Sequence, residues 1–75
     1  MRYDDELDAT GLLCPLPVLR ARKRLKSLAS GQVLRMIADD PAAVIDVPHF
    51  CDEQGFVLVS AETIVTRHVF LIQKP

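Results

Sequence analysis

A length of 75 residues, with 49% hydrophobic and 25% charged residues, predicts one globular domain over residues 1–75 with a single core. The apolar runs are too short to span a membrane, and the acidic first residues are unlike the basic, then apolar start of a signal peptide. The net charge of −1 lacks the basic excess of a general nucleic-acid binder, and the two cysteines form no C-x-x-C redox motif, so we expect a cytoplasmic protein with reduced thiols.

The first predicted element is a strand over residues 3–9, followed by a turn at Thr10 and Gly11. We expect the Asp8 carboxylate to accept a hydrogen bond from the Thr10 N–H, as in an Asx turn. Gly11 tolerates the positive φ that a tight turn at this point requires. Asp8 and Gly11 are therefore expected to shape the loop that leaves the strand.

An amphipathic helix is predicted over residues 18–29, with Gly31 as the residue that ends it. At 100° per residue, the apolar side chains form one core-facing stripe: Val18, Ala21, Leu25, Leu28 and Ala29. The opposite face is basic and polar: Arg20, Lys23, Arg24, Lys26 and Ser27. Since the whole chain is slightly acidic, this helix concentrates positive charge on one side of the molecule.

Cys14 lies at the junction between the predicted first strand and this helix. Proline is favoured at the first helical position, so the pattern predicts Pro15 at N1 and Cys14 at the N-cap. Pro17 has no N–H, which leaves the Leu16 N–H as the main donor to the sulfur. A helix N-terminus favours an anion, so we expect a lowered pKa and an exposed nucleophilic thiolate. The alternative is a cysteine that serves only as a cap.

The second half of the chain begins with a strand predicted over residues 32–38. A second helix follows, with Asp40 as its N-cap, Pro41 at N1 and Gly55 at its end. Pro48 lies inside this helix and cannot donate a backbone hydrogen bond, so we expect a kink or a division into two helices.

Two further strands, over residues 56–62 and 67–73, complete the chain and are predicted to pair antiparallel. The order β-α-β-α-β-β with two amphipathic helices predicts an α/β two-layer sandwich. In this fold a mixed four-stranded sheet carries both helices on one face.

The second cysteine and the two histidines are predicted to have structural roles. Cys51 falls on the core-facing side of the second helix, which favours a buried cysteine, although a resolving cysteine that meets Cys14 is the alternative. His49 and Cys51 project about 160° apart, which disfavours a shared zinc site. His68 is interpreted as an exposed or hydrogen-bonded residue. We therefore expect neither metal nor cofactor.

The basic face of the first helix is compatible with RNA binding, since positive stripes are typical of such domains. An aromatic content of 5% offers no stacking platform, so we favour protein docking over direct contact with nucleic acid. Two apolar side chains border the basic ones near Cys14, and the predicted docking surface is Leu16, Leu19, Arg20 and Lys23. A third alternative for the function is a regulatory interaction protein in which Cys14 is only a cap.

Three motifs of the chain together resemble the TusA/SirA-like sulfur carrier family. They are Leu7-Asp8-x-x-Gly11-x-x-Cys14-Pro15-x-Pro17, Asp39-Asp40-Pro41 and Asp46-x-Pro48-x-Phe50-Cys51. The resemblance covers residues 7–73 and implies the same two-layer fold. The sequence departs from the family pattern at Leu16, where glutamate is frequent in the family, and at Leu13, where a polar or basic residue is common.

The resemblance implies that Cys14 accepts sulfane sulfur as a persulfide from a cysteine desulfurase and relays it to an acceptor protein. Within the family the sulfur commonly reaches the 2-thiouridine of the tRNA wobble position, while relatives serve sulfur oxidation or molybdenum-cofactor assembly. Asp8, Gly11, Pro15 and Pro17 would support the loop and the helix start. Such a sulfurtransferase acts as a carrier rather than a free-standing turnover enzyme, and we expect a monomer.

Overall fold

The computed structural model describes residues 2–75, which form one mixed four-stranded sheet and two helices. The elements in chain order are β1 (Asp5–Asp8), α1 (Leu16–Lys26), β2 (Val33–Ala38), α2 (Ala43–Gln54), β3 (Val57–Ile64) and β4 (Arg67–Gln73). The strand order across the sheet is β1-β2-β4-β3, with β1 parallel to β2 and the other pairs antiparallel. The predicted α/β two-layer sandwich is confirmed.

The core lies between one face of the sheet and the two helices. Along β2, burial alternates strictly, so that every second side chain points towards the helices. The largest fully buried side chains come from the sheet and from both helices: Leu25, Leu34, Met36, Val47 and Ile72. Because helices and strands contribute to one cluster, both helices pack on the same face of the sheet.

Helix α1 begins one residue after Pro15, the predicted N1, and ends before residue 29, the predicted end of the amphipathic stretch. It starts at Leu16, and Ser27 is its C-cap. The Gln32 side chain accepts the Ala29 N–H (2.7 Å), and the Gln32 N–H donates to the Ala29 carbonyl (3.1 Å), so a turn replaces further helix. Gly31 has a φ of 88° in this turn, four residues beyond the C-cap, and the prediction that it ends the helix is wrong.

Helix α2 starts at Ala43, because a tight turn comes first in which the Ala43 N–H donates to the Asp40 carbonyl (2.9 Å). The N-cap is therefore Ala42, and the prediction of Asp40 and Pro41 as N-cap and N1 is wrong. The helix continues through Pro48 without dividing and ends at Gly55, as predicted, where a φ of 78° gives a left-handed C-cap. Neither helix within residues 2–75 has the length and apolarity needed to cross a membrane.

Strands β3 and β4 form a hairpin that is tighter than the sequence predicts. Strand β3 extends to Ile64, which pairs with Arg67, so that two residues make the connection. The first of them, Val65, has a φ of 59° and a side chain that is 92% exposed. A β-branched residue in this conformation is strained.

Candidate functional site

The loop that bears Cys14, residues 9–15, joins the end of β1 to the start of α1. Asp8 Oδ1 accepts hydrogen bonds from the Thr10 N–H (3.0 Å) and from the Thr10 hydroxyl (2.6 Å), which is the predicted Asx turn. The bonds from the Thr10 hydroxyl and N–H lower the pKa of the Asp8 carboxyl. Gly11 has a φ of 80°, as expected for this turn.

Cys14 is exposed, but it lies one residue further from the helix than predicted. Pro15 is the N-cap, Leu16 is the first helical residue, and the Cys14–Pro15 peptide bond is cis. The Leu16 N–H donates to the Leu13 carbonyl (2.8 Å), and no side chain caps the helix. The prediction that Leu16 N–H holds the sulfur is therefore wrong.

The loop is tied to the segment between β2 and α2 by two carboxylates. The Gly11 N–H donates to Asp39 Oδ1 (2.9 Å), and the Cys14 N–H donates to Asp40 Oδ2 (2.7 Å). The sequence predicted Asp40 as the N-cap of the second helix and gave no indication that Asp39 contacts the loop. A signal was present: β1 and β2 are parallel, so the segments that follow their carboxyl ends meet at one edge of the sheet.

The pKa of the Cys14 thiol is raised above its ordinary value, and the expectation of a lowered pKa is wrong. The largest cause is the polar interaction with the nearby Asp46 carboxylate, which favours the protonated thiol, followed by desolvation and by the negative charges of Asp46 and Asp40. Both carboxylates disfavour the thiolate. The helix dipole acts mainly within the first turn, and Cys14 lies before the N-cap.

Cys51 has the structural surroundings expected of it. Its side chain is 2% exposed within the core, and burial raises the pKa of its thiol to about 11. His68 Nδ1 lies 2.9 Å from the Thr63 hydroxyl, and His49 Nε2 lies 3.2 Å from Glu53 Oε2, so both histidines have partners of their own. Residues 2–75 contain no cluster of histidine, cysteine or acidic side chains suited to a metal ion.

The predicted docking residues Leu16, Leu19, Arg20 and Lys23, here called the α1 patch, are all exposed on one helix. The exposed fraction is 44% for Leu16 and 50% for Leu19, which is high for large apolar side chains. Arg24, although part of the same basic face, is occupied by an ion pair with Asp5 (3.2 Å). Of the two prolines beside Cys14, Pro15 is exposed and Pro17 is buried.

Known sulfur carriers resemble the chain over nearly its whole length. The family described as Sulfurtransferase TusA matches residues 5–74. Sulfur carrier protein TusA of Allochromatium vinosum is 47% identical over 72 residues, which cover 96% of this chain and 95% of that protein. The crystal structure of a SirA-like protein from Desulfitobacterium hafniense is 25% identical and superimposes with a TM-score of 0.81, covering 93% of this chain and 96% of the other. The chain therefore belongs to the TusA family of sulfur carrier proteins.

Proposed function

We propose that Cys14 accepts sulfane sulfur from the persulfide of a cysteine desulfurase and passes it to the thiolate of an acceptor protein. The observation that carries this proposal is an exposed cysteine in a loop whose backbone is fixed by two carboxylates. The other cysteine is buried, so a partner protein cannot reach its sulfur for the same chemistry.

The proposed transfer follows thiol-disulfide chemistry. The Cys14 thiolate attacks the outer sulfur of the donor persulfide, the S–S bond of the donor breaks as that of Cys14 forms, and the donor cysteine leaves as a thiolate. The proton lost by Cys14 passes to that leaving thiolate, directly or through solvent. Discharge repeats the same displacement with the acceptor thiolate as the attacking group. One S–S bond breaks for each that forms, so no external oxidant or reductant is required.

The α1 patch is the proposed docking surface for these partners. Its two exposed leucines and two exposed basic side chains lie on the helix that follows Cys14, so a protein that covers them also reaches the loop. Asp8, Gly11, Pro15 and Pro17 support the loop and the helix start in this proposal. We further propose that the carrier is a cytoplasmic monomer and that its sulfur serves 2-thiouridine synthesis in tRNA, with sulfur oxidation or molybdenum-cofactor assembly as the alternative pathways.

Intact mass measured without reductant, after incubation with a cysteine desulfurase and cysteine, tests the proposal. We expect one added sulfur on the wild type and on Cys51→Ala, and none on Cys14→Ser. Circular dichroism of Cys14→Ser serves as the folding control, and an unchanged spectrum is expected because the side chain is exposed. Sulfur on Cys51, or equal loading of Cys14→Ser, would contradict the proposal.

A further inference from the structure

We infer that Asp40 is a positioning residue for sulfur transfer, because its one carboxylate fixes the Cys14 backbone to the start of α2. Oδ2 accepts the Cys14 N–H at 2.7 Å, and Oδ1 accepts the Ala42 N–H at 3.1 Å. Two segments far apart in the sequence are thus joined through a single side chain. The inference rests on the proposed function, since positioning is meaningful only if Cys14 takes part in transfer.

The other hydrogen bonds near Cys14 are local. The Leu12 N–H donates to the Ala9 carbonyl (3.3 Å), and the Leu16 N–H donates to the Leu13 carbonyl (2.8 Å). Pro15 has no N–H. The Pro15 carbonyl accepts the Leu19 N–H (3.3 Å) within the start of α1. Among the hydrogen bonds that the structure describes, the one between Cys14 and Asp40 is therefore what ties the backbone of residues 12–15 to a segment distant in the sequence.

This attachment matters for a displacement in which three sulfur atoms must line up between two proteins. A shift of about 1 Å in a reacting group can reduce a rate by about a hundredfold. The partner fixes the donor sulfur, whereas the position of the Cys14 sulfur depends on the loop. Asp40 acts at the residue that bears the sulfur, while Asp39 acts three residues earlier at Gly11.

The test compares Asp40→Asn with two other replacements of a carboxylate by an amide. An amide oxygen can accept one of the two N–H groups, but the amide nitrogen then faces the other donor, so the attachment is broken. Asp46→Asn also removes a negative charge near the thiol but leaves the Cys14 N–H bond intact. Asp52→Asn changes an exposed carboxylate near the other end of α2 and serves as the control for net charge.

Two rates are measured for each variant: sulfur transfer from the desulfurase and alkylation of Cys14 by iodoacetamide. For Asp40→Asn we expect transfer to fall by about tenfold or more while alkylation at neutral pH does not fall, because a small reagent approaches from any direction. Asp46→Asn is expected to alkylate faster with no comparable fall in its transfer rate, and Asp52→Asn to match the wild type in both. Transfer by Asp40→Asn at the wild-type rate, or a fall matched by alkylation, would overturn the inference.

Hydrogen exchange provides a readout that does not depend on sulfur. We expect the Cys14 amide to exchange faster in Asp40→Asn, while amides of the buried strand β2 keep their wild-type rates. Unchanged exchange at Cys14 would overturn the inference, and so would loss of protection throughout β2, since Asp40 would then be a general structural residue. Failure of the wild type to load sulfur would refute the proposed function instead. The two failures are thus distinguishable.

Discussion

The two cysteines of this carrier have raised pKa values for different reasons. Burial alone raises the pKa of Cys51, whereas the Asp46 carboxylate is the first cause at exposed Cys14. A buried thiol is inaccessible to a partner protein in either protonation state. An exposed thiol beside carboxylates stays accessible, and its fraction of thiolate depends on whether those charges are present.

Replacing Asp46 by asparagine is expected to make Cys14 more reactive at neutral pH. The Asp46 carboxylate raises the pKa of the Cys14 thiol. Its removal therefore lowers that pKa and increases the fraction of thiolate at neutral pH. The rate of iodoacetamide alkylation plotted against pH should keep its shape and move to lower pH. A profile that moves to higher pH, or not at all, would contradict this assignment of cause.

At the scale of residues, local chemistry was predictable and contacts between distant segments were not. The Asx turn at Asp8 and the positive φ of Gly11 follow from residues two or three positions apart. The pKa of Cys14 depends on two carboxylates that follow β2 in the sequence, and sequence alone does not reveal their distance from the sulfur. The helix dipole was the one influence on this pKa that the sequence revealed, and it predicted a lowered pKa where the structure gives a raised one.

At the scale of elements, the hairpin of β3 and β4 contains a local conflict between residue type and backbone. The φ of 59° at Val65 suits glycine, while a β-branched side chain opposes it. The conflict is tolerated because the cross-strand pairing continues from Ile64 and Arg67 inwards on both strands. Val65 itself contributes no buried surface, since 92% of it is exposed.

Val65→Gly is therefore expected to stabilise the protein. Relief of the left-handed strain is worth about 1–2 kcal/mol, and the greater freedom of glycine in the unfolded chain offsets about half of this gain. For a domain of this size, the remaining gain of about 0.5–1 kcal/mol raises the melting temperature by roughly 2–8 °C. Thermal unfolding followed by circular dichroism measures it. Thr66→Gly is the matched control and should lower the melting temperature, because the φ of Thr66 is not positive.

Element types could be predicted because the hydrophobic periodicities were clear, but several boundaries could not. Strand β4 has its predicted bounds, whereas both helices start at a different residue from the one predicted. In each case a turn held by backbone hydrogen bonds precedes the first helical residue, at Leu13 and at Asp40. Proline before a helix is compatible with N1 and with the N-cap, so the sequence pattern does not distinguish the two registers.

At the scale of the whole molecule, positive charge is concentrated on α1 and negative charge lies on the other side of Cys14. The exposed face of α1 carries Arg20, Arg22, Lys23 and Lys26, while Asp39, Asp40 and Asp46 belong to the loop after β2 and to α2. Such a layout orients a partner as well as attracting it. The two-layer architecture of the molecule was predictable, because the order of strands and helices and one apolar stripe on each helix leave few other arrangements.

Reversing two charges of the α1 patch, as Arg20→Glu with Lys23→Glu, is expected to slow sulfur transfer by about tenfold or more at low ionic strength. The difference from the wild type should shrink as salt is added, since surface charges are screened. Transfer rates against salt concentration measure both effects. The control is Arg22→Glu with Lys26→Glu, which changes the net charge of the protein by the same amount at residues outside the α1 patch. Transfer unaffected by the first pair, or slowed equally by both, would contradict the assignment of docking to the α1 patch.

The attachment of the Cys14 loop to Asp39 and Asp40 also orders events during protein synthesis. A nascent chain that ends before Asp39 already contains Cys14 but neither of the carboxylates that hold its loop. At that stage the two backbone attachments are absent, and so is the Asp46 carboxylate that raises the pKa of the thiol. The loop can acquire this attachment only after β2 and the start of α2 have been translated and β2 has paired with β1.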